Sequence, residues 1–271
     1  MVDAATIGCL FERAGNRVHP TALCTGPWDP HAMHGGPPAV LCGRFLADHG
    51  EGQDGFHLAR LSVELVRPIP LAPLTIDVVE TRPGKRIQLL DATVRTDDGV
   101  EVVYARGMRI RRGENGLDEA DLLLPGPLDV PGPDASTPYD HGFARAPGGF
   151  YMDAFEIRTV DGRSFGQFGA SACWFRLRAS TFDGEAIGAL DRALSVADFG
   201  NGISNIVGVE THLYINPDLT VNLHRLPVDE WLVSDAVTHL RADGYGTATA
   251  RLADRHGELG IANQSLMVTA R

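Results

Sequence analysis

Three stretches of the sequence carry side chains suited to proton transfer and carbonyl chemistry. In Ser195-Val196-Ala197-Asp198-Phe199-Gly200, a carboxylate falls on an apolar stripe: Ile187, Leu190 and Leu194 recur at helical spacing, and Asp198 shares their face. A carboxylate there costs free energy unless it is paired or used. Its place near a helix C-terminus, where the dipole disfavours negative charge, adds to that cost. The alternative is a frayed helix end with Asp198 facing water or capping Asn201. Near the end of the chain, Ala262, Gln264, Leu266 and Val268 alternate onto one strand face, opposite Asn263, Ser265 and Thr269. Gln264 is the polar member of the inward set, able to position a water or a carbonyl with both a donor and an acceptor, or else a structural amide. The third stretch is His34-Gly35-Gly36-Pro37-Pro38. Paired glycines let a ligand approach the backbone, and the prolines suit a first helical turn whose free N–H groups stabilise an oxyanion. A tight turn that serves packing alone is the competing reading.

These groups need elements to position them, and the chain supplies two similar sets. Residues 61–112 align without a gap on 219–270 at a constant offset of 158. Leu61, Val63, Leu65 and Arg67 fall on Leu219, Val221, Leu223 and Arg225; Leu74, Asp77 and Val79 on Leu232, Asp235 and Val237; Ala92 on Ala250; Gly99 on Gly257. By that offset Gln264 corresponds to Arg106, so the halves have diverged there and one site survives. Each half starts with a predicted helix, 36–50 and 184–198, the second with Asp183 as its N-cap. Period-2 alternation predicts strands at 58–67, 74–81, 86–96 and 100–111. In the second half it predicts them at 206–215, 218–225, 231–240, 245–254 and 258–269. Residues 150–158 and 171–179 also read as extended. The expected class is α+β: two repeats of a long central helix wrapped by an antiparallel sheet, joined edge to edge about a pseudo-twofold axis. The expected boundaries are 1–112, a linker rich in Gly, Pro and Asp at 113–145, and 146–271 with the expected active-site residues.

Composition removes several functions. Across 271 residues the formal net charge is −11, which argues against nucleic acid or an anionic membrane surface as partner. No apolar window is long enough to span a membrane, and the N-terminus lacks a positive region before an apolar run, so a cytoplasmic protein is expected. Cys9, Cys24, Cys42 and Cys173 lack metal-like spacing and are expected to be free, small apolar side chains. Asp29, His31 and His34 are suitable metal ligands by type, but close spacing in a Pro- and Gly-bounded loop without a distant partner set makes a metal site unexpected. No Walker or H-E-x-x-H motif is present, and no G-x-G-x-x-G opens a helix after a strand. Arg109, Arg111 and Arg112 read as a solvated strand end, and Trp174 and Trp231 as core or interface residues.

The stretches HGGPPAV, SVADFG, LTVNLHRLP with EWL, and ANQSLMV resemble the fused double-hotdog acyl-CoA thioesterases, the thioesterase II-like family. The resemblance implies that each half is a hotdog fold and that the chain hydrolyses fatty acyl-CoA without a covalent intermediate. It also implies an Asp, a small polar residue and a Gln holding the attacking water. Asp198 and Gln264 match two of these. Counting back from His224-Arg225 places Asn216 at the small polar position, usually Thr, with Thr220 as the fallback. His34, Gly35 and Gly36 are the expected substrate-binding residues, although the position of His34 is often apolar in relatives. No cofactor is implied, CoA being part of the substrate, and a homodimer or dimer of dimers is expected.

Two other functions remain open on the sequence. A hotdog hydratase or dehydratase would use a His and an Asp, which His34 and Asp198 imitate. A non-catalytic acyl or acyl-CoA binding protein would share the fold without the chemistry.

Overall fold

The computed structural model of the chain describes residues 6–50, 55–118, 122, 126–139, 149–160 and 167–271. Strands β1 (Cys9–Ala14) and β2 (Arg17–Pro20) precede helix α1 (Gly36–Asp48). The meander β3 (Phe56–Leu65), β4 (Leu74–Arg82), β5 (Ile87–Thr96) and β6 (Glu101–Arg111) follows. Then come β7 (Thr137–Pro138), α2 (Phe150–Asp153), β8 (Phe155–Thr159), β9 (Ser171–Leu177) and β10 (Ser180–Phe182). Helices α3 (Ala189–Ala197) and α4 (Gly200–Ile203) lead into β11 (His212–Ile215), β12 (Asp218–Leu223), β13 (Trp231–Leu240), β14 (Tyr245–Asp254) and β15 (Gly257–Ala270).

The class is α+β. Among the described residues the strands form one fifteen-stranded sheet in the order β10-β1-β2-β4-β5-β6-β3-β12-β15-β14-β13-β9-β8-β7, with β11 also paired to β15. Neighbours are antiparallel except β1 and β10. β9 and β10 lie toward opposite ends of that order, yet Arg178 and Ala179 alone separate them along the chain. The sheet therefore curls until its ends approach, and α1 and α3 pack together in the hollow. α1 is apolar on nearly all sides, as a helix enclosed by sheet and a second helix must be. A side chain at Gly43 would run into Leu194, so glycine sets how closely the two helices cross. Among the described residues no helix is long and apolar enough to cross a membrane.

The repeat is visible in the hydrogen bonding between the halves. β3 and β12 pair with Leu61 opposite Val221, Val63 opposite Leu219, and Ser62 opposite Thr220 at the centre. Ser62 and Thr220 are repeat equivalents, so the pseudo-twofold axis passes between them, and Thr220 Oγ1 donates to Ser62 Oγ at 3.2 Å.

The structure corrects several expectations. The second helix starts at Ala189, not near Asp183, because Gly184 has φ +73, a left-handed conformation that ends any helical run. Residues 150–153 are helical before β8 begins, and of 206–215 only His212–Ile215 is strand. The offset of 158 holds from β3 through β5, with Val78–Ala92 equivalent to Ala236–Ala250. It then slips by one in the last hairpin: Ser62 faces Arg106, whereas Thr220 faces Asn263. The equivalent of Gln264 is therefore Gly107, not Arg106. Arg106 points to the other face and pairs with Asp91 at 2.6 Å. Arg109 is not a solvated end. It is 3% exposed, and Nη1 donates to the carbonyls of Ala47 and His49, closing the C-terminus of α1. Arg111 and Arg112 are exposed, as expected. Trp174 and Trp231 lie in a smaller core cluster with Val160, Val233 and Ala253, covered by Leu128 and Val130 from the expected linker.

Candidate active site

Asp198 is the C-cap of α3, with φ −86 and ψ 2, so its side chain leaves the helix as the chain turns into α4. It is 3% exposed, and its two oxygens meet different partners. Oδ1 accepts from Asn216 Nδ2 at 2.8 Å and from Gln264 Nε2 at 2.9 Å. Oδ2 lies 3.0 Å from His34 Nδ1. The α1 N-terminus comes to the same place: a Cβ on Gly35 would be 2.6 Å from Oδ2. The positive end of α1 thus offsets the unfavourable end of α3.

The amide orientations are set by backbone. Gln264, 2% exposed on β15, accepts the Asn201 N–H through Oε1 at 3.0 Å, which turns Nε2 toward Asp198. Nε2 also donates to the Asp198 carbonyl at 3.2 Å. Asn216, in the turn between β11 and β12, gives Nδ2 to the Asp218 carbonyl at 3.2 Å as well as to Asp198. At position 200 a Cβ would lie 3.0 Å from Gln264 Oε1 and press on that amide. The apolar wall beside the carboxylate is aromatic: Phe150 and Phe199 stack on each other at 5.9 Å, the His34 ring packs against both at centroid distances of 5.1 and 5.3 Å, and Phe155 and Phe175 pack behind them.

The structure brings together Asp198, Asn216, Gln264, His34, Gly35 and Gly36. Thr220 stands apart at the junction of the halves. His34 and Gly35 come from the first half and the three amide and carboxyl groups from the second, so the cluster exists only where the halves meet. In the first half the position of Gln264 is Gly107, where a Cβ would press on Leu46 and Leu58. Asp29 and His31 do not join His34: Asp29 Oδ1 takes the His31 N–H at 2.8 Å. Sequence reasoning missed the role of Asn201, which binds both Gln264 and Asn216, the latter through Nδ2 at 3.4 Å. It also missed Phe150 and Phe199. Asn201 lies three residues after Asp198, but nothing local marked Phe150, which reaches the site from another element.

A buried carboxylate held by two amides beside helix N–H groups can activate water and stabilise charge on an attacked carbonyl. Two family models match the chain: the acyl-CoA thioesterase N-terminal domain over residues 24–110 and the C-terminal domain over residues 128–268. No curated protein matches it by sequence. Solved structures share the fold. A candidate thioesterase from Novosphingobium aromaticivorans is similar at 21% identity and TM-score 0.70, covering 95% of this chain and 98% of that one. A hot-dog-fold protein of unknown function from Alicyclobacillus acidocaldarius is similar at 17% and 0.68, covering 96% of each. The tesB protein of Mycobacterium avium subspecies paratuberculosis is similar at 17% and 0.65, covering 96% of this chain and 95% of that one.

Proposed function

The chain belongs to the acyl-CoA thioesterase family, and from that premise we propose that it hydrolyses fatty acyl-CoA to free acid and CoA. The observation that carries the proposal is the Asp198 carboxylate, buried and clamped through Oδ1 by Asn216 and Gln264 at the N-terminus of α1. General-base chemistry centred on that carboxylate activates a water, which adds to the thioester carbonyl, and N–H groups at the helix start take the developing oxyanion. Thiolate is a good leaving group, so the reaction needs neither a covalent intermediate nor a cofactor. In this reading the architecture is a double hotdog, with the acyl chain lying between helix and sheet. Pairing of sheet surfaces that carry exposed Tyr245, Ile261 and Met267 would give the homodimer or dimer of dimers.

The test is thiol release from a short-to-long acyl-CoA series by wild type and Asp198→Asn. Asn keeps the shape and one acceptor oxygen but cannot act as a carboxylate base. Activity should fall about a hundred- to ten-thousand-fold with folding unchanged. No release from any acyl-CoA by wild type overturns the hydrolase. The contact of His34 Nδ1 with Asp198 Oδ2 at 3.0 Å favours a hydratase as the second reading, and conversion of enoyl-CoA to β-hydroxyacyl-CoA without thiol release would establish it.

A further inference from the structure

The clamp on Asp198 leaves little of the carboxylate for water. Oδ1 is occupied by two amide donors, at 2.8 and 2.9 Å. Oδ2 is closed on one side by Gly35 and met on the other by the His34 imidazole at 3.0 Å. A water binding Oδ2 directly would have to displace that ring, which Phe150 and Phe199 hold in place. The imidazole itself keeps 13% exposure, and its Nε2 has no hydrogen-bond partner among the described residues.

Two groups of opposite demand converge on His34 Nδ1. The Gly36 N–H points to it at 3.1 Å and requires a bare nitrogen, whereas an ionised Asp198 requires a proton there. A hydrogen bond to a carboxylate is roughly twice as strong as one between neutral groups. A bare lone pair facing an ionised carboxylate is repulsive. Gly36 opens α1, where N–H groups have no partner within the helix, so losing this bond leaves the helix ladder intact. The balance favours the proton on Nδ1, which makes Nε2 the lone pair available to water.

From this geometry, and resting on the hydrolase reading above, we infer that His34 is the base that takes the water proton and that Asp198 acts through it as a positioning residue. Nε2 removes one proton as the water oxygen bonds to the thioester carbonyl carbon, and the carbonyl π electrons move to oxygen. The Asp198 carboxylate balances the imidazolium. Collapse reforms the carbonyl and breaks the C–S bond. The thiolate takes the proton back from Nε2, giving acid, thiol and neutral His34.

The test combines nitrogen-15 NMR of labelled histidines with kinetics on an acyl-CoA the wild type turns over. The wild type should show His34 protonated on Nδ1, and Asp198→Asn should shift that signal. His34→Gln should lower kcat on the order of a hundredfold or more with KM within about twofold, the range expected when a proton-transfer group is lost. Added imidazole should restore part of the activity of His34→Ala. A proton on Nε2 in the wild type, or His34→Gln turning over within a few-fold of wild type, overturns the inference and returns the base role to Asp198. Because the tautomer is read on the wild type, a variant that misfolds does not obscure the result. A wild type without thiol release instead removes the hydrolase reading itself.

Discussion

Gly35 is the position where a single added carbon separates chemistry from folding. Its backbone, φ −67 and ψ −20, suits any residue, so glycine is not required there for conformational freedom. It is required for space, because a Cβ would lie 2.6 Å from Asp198 Oδ2. Gly35→Ala should push the carboxylate out of its clamp and lower kcat at least tenfold. Crowding of this kind costs about 1–3 kcal/mol of stability. Thiol release and urea unfolding measured on the same preparation check both parts. Full activity in the variant would show that Asp198 has room to move. The same logic applies at Gly200 beneath Gln264, where the neighbour is an amide oxygen at 3.0 Å. At this scale the site consists of polar groups packed against backbone that carries no side chain.

At the scale of elements, the relation between α1 and α3 rests on one buried charge. Asp191 is fully buried in the first turn of α3 and has two roles. Oδ2 accepts the Gly188 N–H at 3.1 Å, which caps the helix, and both oxygens take Arg44 Nη1 from α1 at 3.0 and 3.2 Å. Arg44 also reaches Glu185 at 2.9 Å, and Asp191 is the foremost of the neighbouring carboxylates that raise the pKa of its guanidinium against the opposing effect of burial. Arg44→Met keeps the apolar stem and strands Asp191 without its cation. Breaking such a pair costs about 3–5 kcal/mol. Chemical denaturation should show that loss, and adding Asp191→Leu should recover part of it. No recovery would mean that capping of α3, not the charge, is the larger contribution. Asp198 and Gly35 sit at the other end of the same helix pair, so the packing held by this ion pair also sets the site.

Across the whole molecule the two halves share a frame but differ at the position of Gln264, which is Gly107 in the first half. Their axis runs between Ser62 and Thr220, and the catalytic candidates lie in one of the two related positions. The arginines equivalent under the repeat keep a similar task. Arg67 Nη1 bonds the Glu101 carbonyl, and Arg225 bonds the carbonyls of Gly257 and Glu258. Arg225 further grips Asp254, buried at the end of β14, at 2.6 and 3.0 Å. Burial pushes the Asp254 carboxyl up, but Arg225 and the N–H groups of Val228 and His256 outweigh it and hold the pKa below the ordinary value. A depressed folded value means the stabilisation is complete above the unfolded carboxylate pKa of about 3.9 and is lost as pH falls through the lower folded value. Unfolding free energy should therefore decline below about pH 4, and Asp254→Asn should flatten that decline. At neutral pH the variant should be less stable by about 1–3 kcal/mol, the cost of leaving buried donors without their partner. Equal acid slopes in the two proteins would place the acid sensitivity elsewhere, as at Asp229, where burial pushes the carboxyl pKa up but the hydrogen bonds it accepts, chiefly from Arg255, outweigh that and lower it.

Local regularities carried far into the fold. Alternation placed β13 and β14 at their observed bounds because a strand's two faces differ in every second side chain, wherever the strand lies. Buried polarity singled out Asp198 and Gln264, since an unpaired carboxylate or amide on an apolar face is costly in any fold. The meeting of His34 with Asp198, the ion pair of Arg44 with Asp191 and the arrival of Phe150 beside the imidazole were decided only in three dimensions. The curl of the sheet and the crossing of the two helices set those contacts, and neither has a local signature. The one-residue slip in the last hairpin belongs with them: Arg106 and Gly107 are adjacent in the sequence, but a pleated strand turns them to opposite faces. Hydrogen-bond register therefore decided that Gly107, not Arg106, stands opposite Gln264 across the pseudo-twofold axis.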